Sequence, residues 1–238
     1  MKIEKLITPG DYKPGEKTDA DSRRCEFDIK NEQIFYSDEK PDIIFAGDSI
    51  THFMEENRLY HDYGYVVNRG IGGDQAHIMA WRFTADVTQL SPRLCIMLVG
   101  VNNMWVMEDH IDPETGDYEE SEKLRVMKEI EDAFRKMLTE ARENNFDMWI
   151  CSELPQAENI GKAAIRNRSI VRVNEMLKGL AAEFGTKYID YHSALTKEDG
   201  LTMKDGEGIS REGIHPYHGG YKLMFDVLKP HLDEYFGK

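Results

Sequence analysis

Four short blocks of this sequence carry residue types suited to acyl and proton transfer. Gly47-Asp48-Ser49 offers a hydroxyl, Gly72-Gly73 a backbone without Cβ, Gly100-Val101-Asn102-Asn103 a carboxamide, and Glu212-Gly213-Ile214-His215-Pro216 an imidazole three residues after a carboxylate. A serine hydroxyl is a poor nucleophile until a neighbouring base takes its proton. A histidine is the usual base, and a carboxylate on its Nδ1–H fixes the tautomer that leaves Nε2 facing the hydroxyl. The negative charge that then develops on a carbonyl oxygen needs preorganised N–H donors. A backbone amide beside Gly73 can approach such an oxygen closely. The Ser49 amide and the Asn102 side chain are two further donors of the right kind.

Each block also has an ordinary reading. Ser49 could cap the helix that follows it, Gly72-Gly73 could be a tight turn, Asn102 could be a helix cap, and a histidine before proline is often a plain loop residue. His215 is preferred to His218 as the base because Glu212 precedes it and because His218 falls where the closing helix should begin. Asp48 and Trp105 are candidates for touching a substrate, Trp105 by stacking on a flat ligand face. Trp81 is expected in the core.

The elements around these blocks give them direction. Ile43-Ile44-Phe45-Ala46 is a short apolar run that stops at Gly47, as a strand buried on both faces should look. Similar runs occur at Tyr65–Val67, Leu94–Val99, Met148–Cys151 and Lys187–Ile189. Between them lie helical patterns: a segment from about Ile50 to His61, the three- and four-residue steps of Leu124, Met127, Ile130, Phe134, Met137, Leu138 and Ala141, and those of Ile170, Val173, Leu177, Leu180 and Phe184. Strands alternating with helices predict a three-layer α/β/α sandwich around a central parallel sheet. Ligands of such sheets bind beyond the carboxyl ends of the strands. Three of the reactive blocks stand immediately after strand-like runs, as that rule requires. The acidic segment from Trp105 to Glu120 follows the third run and is expected to overhang the same rim.

With 238 residues, one domain is expected, over 37–238, preceded by 1–36 as an arm or as short strands packed on it. The net charge of −14 repels phosphate backbones and anionic lipid heads, so neither nucleic acid nor a membrane is expected as a partner. No continuous apolar stretch suits a membrane span or an export signal, which makes the cytoplasm the expected location. The three cysteines, Cys25, Cys95 and Cys151, lack paired spacing and read as reduced thiols. The pattern Gly-x-Ser-x-Gly fails at Ile50-Thr51, a glycosidase would need a carboxylate pair that nothing singles out, and His52, His61, His77, His215 and His218 are metal ligands by residue type only.

Taken together and in this order, the blocks resemble those of the SGNH (GDSL) hydrolase family. Gly47–Ile50 matches its nucleophile block, Gly73 its glycine, Gly100–Asn103 its asparagine block and Gly213–Pro216 its histidine block. The stretch Asn68-Arg69-Gly70-Ile71-Gly72-Gly73-Asp74 with Trp81-Arg82 is similar to the catalytic subunits of platelet-activating-factor acetylhydrolases and their bacterial relatives. The resemblance runs from about residue 42 to the end. It implies a flavodoxin-like fold and an acyl-enzyme on Ser49, with His215 as base. It also implies an oxyanion hole of the Ser49 and Gly73 amides with Asn102, no cofactor or metal, and a small acylated substrate. A homodimer is compatible with it. The family's usual aspartate is replaced by Glu212, so either the longer side chain folds back onto His215 or another acid such as Asp205 serves.

Overall fold

The computed structural model describes residues 20–238, with the side chains of residues 20–22 and of Cys25 outside the description. The expected strands form, because five apolar segments bounded by polar turns can be buried only in the middle of a layered structure. They are β1 (Ile43–Gly47), β2 (Val66–Gly70), β3 (Leu94–Leu98), β4 (Asp147–Cys151) and β5 (Tyr188–Ile189). The sheet has the order β2-β1-β3-β4-β5, with β1 parallel to both β2 and β3, and β5 parallel to β4. Every residue of β1, β2 and β3 is buried. The helices are α1 (Ala20–Phe35), α2 (Ser49–His52), α3 (Glu56–Tyr60), α4 (Ala76–Asp86), α5 (Glu120–Glu143), α6 (Ala163–Phe184), α7 (Tyr191–Leu195) and α8 (His218–Phe236). Among the described residues, no helix is long and apolar enough to cross a membrane.

The chain packs as two compact units, one running to Val99 with Asp132–Trp149, the other comprising Gly100–Glu131 and Ile150–Lys238. In the first, β1 pairs with β2 and β3, and Phe83 of α4 meets Phe146 at 6.2 Å between ring centroids. In the second, Ile170, Val173 and Leu177 of α6 and Met224, Leu228 and Leu232 of α8 are buried.

Three expectations need correction. Of residues 1–36, expected as an arm or as short strands, Ala20–Phe35 are helix α1, and residues 1–19 lie outside the described residues. Its inward stripe is Arg24, Phe27, Asn31 and Ile34, a helical spacing hidden from a hydrophobicity reading because two of the four are polar. Inside, Asn31 Nδ2 donates to the Ala85 carbonyl at 3.0 Å and to Asp86 at 2.8 Å, and Arg24 forms ion pairs with Asp28 and Asp86. The single helix expected from Ile50 to His61 is instead α2 and α3, followed by a 3-10 turn. There Asn68 Nδ2 takes the Thr51 carbonyl at 2.7 Å, which a continuing helix would have used. Trp81 is 41 % exposed, because the buried face of α4 is formed by Met79, Ala80, Arg82, Phe83 and Asp86.

Of the cysteines, Cys95 and Cys151 are free and buried, and burial pushes the Cys151 thiol up. The segment after β3 becomes a 3-10 helix (Val101–Asp109) and a small antiparallel bridge between Ile111 and Tyr118.

Candidate functional site

In the first unit the nucleophile candidate stands where β1 gives way to α2. Gly47 ends the strand against the neighbouring backbone: a Cβ there would lie 2.0 Å from the Leu98 carbonyl oxygen. Asp48 then caps α2, its carboxylate accepting from the Ile50 amide at 3.0 Å. Ser49 is the first helical residue and is nearly buried, at 8 % exposure. The expected contact of Asp48 with substrate is not what its environment offers, since the side chain is completely buried. Burial, with the neighbouring Asp74 adding to it and the Ile50 amide opposing, pushes the Asp48 carboxyl up to about 7.

The glycine loop is held against α2. A Cβ on Gly70 would lie 2.3 Å from the His52 amide nitrogen, so only glycine lets β2 leave the sheet this close to the helix. The loop amides are then used in turn. Ile71 N donates to the Gly47 carbonyl at 2.9 Å, Gly72 N to His52 Nδ1 at 3.1 Å, and Asp74 N to the Ile71 carbonyl at 3.2 Å. Gly73 lies between them, exposed, at φ +83°, and no acceptor takes its amide among the described residues. That is the condition an oxyanion donor must meet. Gly72 is also close to the serine, with an added Cβ only 3.8 Å from Ser49 Cβ.

Beneath this loop lies a charge network without solvent contact. Arg82, fully buried, bonds Asp74 at 2.7 Å through Nε, Asp86 at 2.9 Å through Nη1, and the Gly47 carbonyl at 3.2 Å through Nη2. Arg24 pairs with Asp86 at 3.2 Å, and Arg69 Nε donates to Asn31 at 2.9 Å while its guanidinium covers the Phe27 ring at 4.8 Å. Burial disfavours the Arg82 charge, but Asp74 and Asp86 outweigh it and hold the group protonated. Burial lowers the Arg69 guanidinium to about 10.

In the second unit the structure brings Glu212 and His215 together. One carboxylate oxygen, Oε1, lies 2.6 Å from His215 Nδ1 and accepts from the His215 amide at 2.7 Å, while Oε2 accepts from the Ile214 amide at 3.0 Å. The Glu212 side chain therefore folds back onto the ring and amide of His215. Asp205 is engaged elsewhere, with Lys197 at 2.9 Å, and is strongly exposed. Gly213 sits at φ +91°, and a Cβ on it would lie 2.7 Å from Asn159 Oδ1. Its carbonyl accepts from the Ala157 amide at 2.9 Å, and the Tyr217 amide donates to the Ile209 carbonyl at 2.7 Å, so the histidine loop is pinned at both ends. His218 is the first residue of α8, as expected.

Asn102 and its neighbour Asn103 divide their tasks. Asn103 is buried, with Nδ2 donating to Glu129 at 3.3 Å, whereas Asn102 is half-buried. The Trp105 ring is half-buried, and one of its faces is covered by the Arg166 guanidinium at 3.7 Å, which also pairs with Glu108. Glu153, fully buried two residues beyond β4, is a site neighbour that the sequence reading missed: its Oε2 accepts from the Val101 amide at 2.9 Å. The signal that could have found it is its place just after a strand, the rule already applied to the other blocks. Among the described residues, no three or more His, Cys, Asp or Glu side chains gather as a metal site would.

Comparison with known proteins gives the family and the fold. Residues 45–223, most of the chain, match the GDSL-like Lipase/Acylhydrolase family. Similar solved structures include a putative acylhydrolase of Bacteroides fragilis, with 23% identity, 93% of this chain and 100% of that chain covered, and a TM-score of 0.69. A GDSL-like lipase of Bacteroides thetaiotaomicron has 20% identity, coverage of 92% and 100%, and a TM-score of 0.71. An acetylxylan esterase of Geobacillus stearothermophilus has 18% identity, coverage of 82% and 94%, and a TM-score of 0.61. At such identities the likeness is one of fold. Human platelet-activating factor acetylhydrolase IB subunit alpha2 is 30% identical over 70 residues, which are 28% of this chain. The chain thus spans about a third of the length of the curated relatives it matches, 31%. The match over residues 45–223, with the ordered glycine, serine, asparagine and histidine blocks inside it, places this chain in the GDSL-like lipase/acylhydrolase family, a family of hydrolases.

Proposed function

We propose that the protein is a serine-dependent carboxylic ester hydrolase that removes short acyl groups, acetyl foremost, from a carbohydrate or another small ester. The observation that carries this reading is the carboxylate–imidazole pair, Glu212 Oε1 at 2.6 Å from His215 Nδ1 in a loop pinned at both ends. With Nδ1–H held by a carboxylate, Nε2 is left as the basic nitrogen.

In the reaction His215 Nε2 takes the Ser49 proton as Oγ bonds to the ester carbonyl carbon. The oxygen that becomes negative is met by the amides of Ser49 and Gly73 and the carboxamide of Asn102. The bond to the leaving alcohol oxygen then breaks, and the proton on Nε2 passes to that oxygen. Water, deprotonated by His215 in turn, attacks the acyl carbon; the bond to Ser49 Oγ then breaks, the proton on Nε2 returns to Oγ, and the acid leaves. Glu212 stays ionised throughout and stabilises the imidazolium. The open Gly73 amide supports its place among the donors. Acetyl on a sugar is favoured by the fold shared with the acetylxylan esterase and by a net charge of −14, which repels anionic lipid heads.

The test is p-nitrophenyl acetate hydrolysis by Ser49→Ala, checked for intact fold by circular dichroism. A fall of at least about 10³-fold is expected, and release equal to wild type removes Ser49 from the mechanism. A second reading, a lipid-directed acetylhydrolase, is favoured by the short match to the platelet-activating factor acetylhydrolase subunit. Activity rising from acetate to octanoate would favour it, whereas steep preference for acetate and release from acetylated xylooligosaccharides favours the first.

A further inference from the structure

Glu153 takes no part in the reaction outlined above, yet its carboxylate is completely buried against the asparagine block, at Val101. A buried carboxylate is costly unless its oxygens are used. One of them, Oε2, receives the Val101 amide at 2.9 Å. The Glu153 backbone is itself clamped by Asn174, whose Oδ1 accepts from Glu153 N at 2.7 Å and whose Nδ2 donates to Glu153 O at 3.0 Å. The loop presses directly on the carboxylate, since a Cβ on Gly100 would lie 2.9 Å from Oε1. On the far side of Asn102, the Asn103 amide donates to the Gly100 carbonyl at 3.1 Å and the Asn103 side chain is tied to Glu129. Asn102 is thus the half-buried member of a run whose two neighbours are both held.

We infer that Glu153 is a positioning residue for Asn102: by holding the Val101 amide from the end of β4, it fixes the turn from which the Asn102 carboxamide is presented to the developing oxyanion. The inference rests on the serine-hydrolase reading. An oxyanion donor is effective only when held within about 0.5 Å of its productive place. A hydrogen bond from the Val101 amide to a fully buried carboxyl oxygen, on a residue whose backbone is itself clamped, is a stiff way to do that. The same carboxylate packed for stability alone would not act through Asn102.

The experiment is a double-mutant cycle on p-nitrophenyl acetate with Glu153→Leu, Asn102→Ala and the pair. Removing an oxyanion donor outright costs about 10²–10³ in kcat, so displacing one should cost about 10–100-fold with KM within about twofold of wild type. Glu153→Gln, which keeps an oxygen acceptor, should recover most of that loss. In the Asn102→Ala background Glu153→Leu should cost less than about threefold more, because the group it positions is gone. An undiminished loss in that background, or a Glu153→Leu enzyme as fast as wild type, overturns the inference. Should Glu153→Leu fail to fold by circular dichroism, Glu153→Asp, one methylene short of the Val101 amide, takes its place in the cycle and is judged by the same two outcomes. Ser49→Ala run alongside separates the failures. Activity without Ser49 sinks the hydrolase reading, while Ser49-dependent activity with additive losses sinks only the assignment of Glu153.

Discussion

The serine region and the histidine region face the same demand, a reactive side chain held in one geometry, and they meet it by different physics. Around Ser49 the backbone is fixed from below by charges without water: Arg82, Asp74 and Asp86 are all fully buried, and Arg82 reaches the Gly47 carbonyl itself. Around His215 the geometry is local and partly wet, with Glu212 and His215 side chains 42 % and 30 % exposed. Their order comes from two short turns and the backbone amides that Glu212 gathers. Stability and catalysis should therefore separate between the regions. Damage beneath the serine should unfold the protein, and damage at the histidine should leave it folded and slow.

The largest effect is expected from Arg82→Ala. It strands Asp74 and Asp86 without their central cation, and removing one member of a buried charge cluster costs about 3–5 kcal/mol. Urea unfolding should show that loss, with activity falling in step with the folded fraction. An Arg82→Ala protein as stable as wild type would mean the network is ornamental and would erase the contrast between the regions.

Next comes Glu212→Gln. The amide keeps the shape but loses the charge that stabilises the imidazolium, and it can donate to Nδ1 and so select the wrong tautomer. kcat should fall by about 10² or more, a barrier change near 3 kcal/mol, while unfolding changes by less than about 1 kcal/mol because the pair is partly exposed. A drop in stability as large as that of Arg82→Ala would show the histidine region to be built like the serine region. Full activity would return the search for the triad acid to residues other than Glu212.

The same contrast explains what the sequence made legible. The strands and the blocks after them stood out because burial on both faces leaves unbroken apolar runs, and because glycine is the residue tolerated where Gly47, Gly70 and Gly213 make their close approaches. Glu212 and His215 were legible for a related reason, since their contact spans three residues and needs no tertiary knowledge. The buried charges were not legible. Arg24, Asn31, Arg69 and Asp86 look like surface residues in a chain with 44 acidic side chains, and only the fold shows that they are buried against one another. For that reason α1 was misread, and Glu153, whose partner lies 52 residues away, carried no spacing to find.

The smallest effect, and the finest test, lies in Asp48, where the two regimes of burial and local capping meet in one residue. Its carboxylate caps α2 through one oxygen, while the other is buried with no hydrogen-bond partner. The folded carboxyl titrates at about 7 against 3.8 for the free group, burial being the first cause. Between those values the folded chain holds a proton that the unfolded chain has released, so the contribution of Asp48 to stability is fullest below pH 3.8 and is lost as pH rises through 7. Asp48→Asn keeps an oxygen for the Ile50 amide and removes the ionisation. The melting temperature of Asp48→Asn should therefore exceed that of wild type at pH 8 by a few degrees, and the gap should close as pH falls toward 4. A gap that stays constant with pH would mean that Asp48 ionises in the folded protein as easily as in the unfolded one. The serine turn would then depend on the cap alone, by the same local means as the histidine loop.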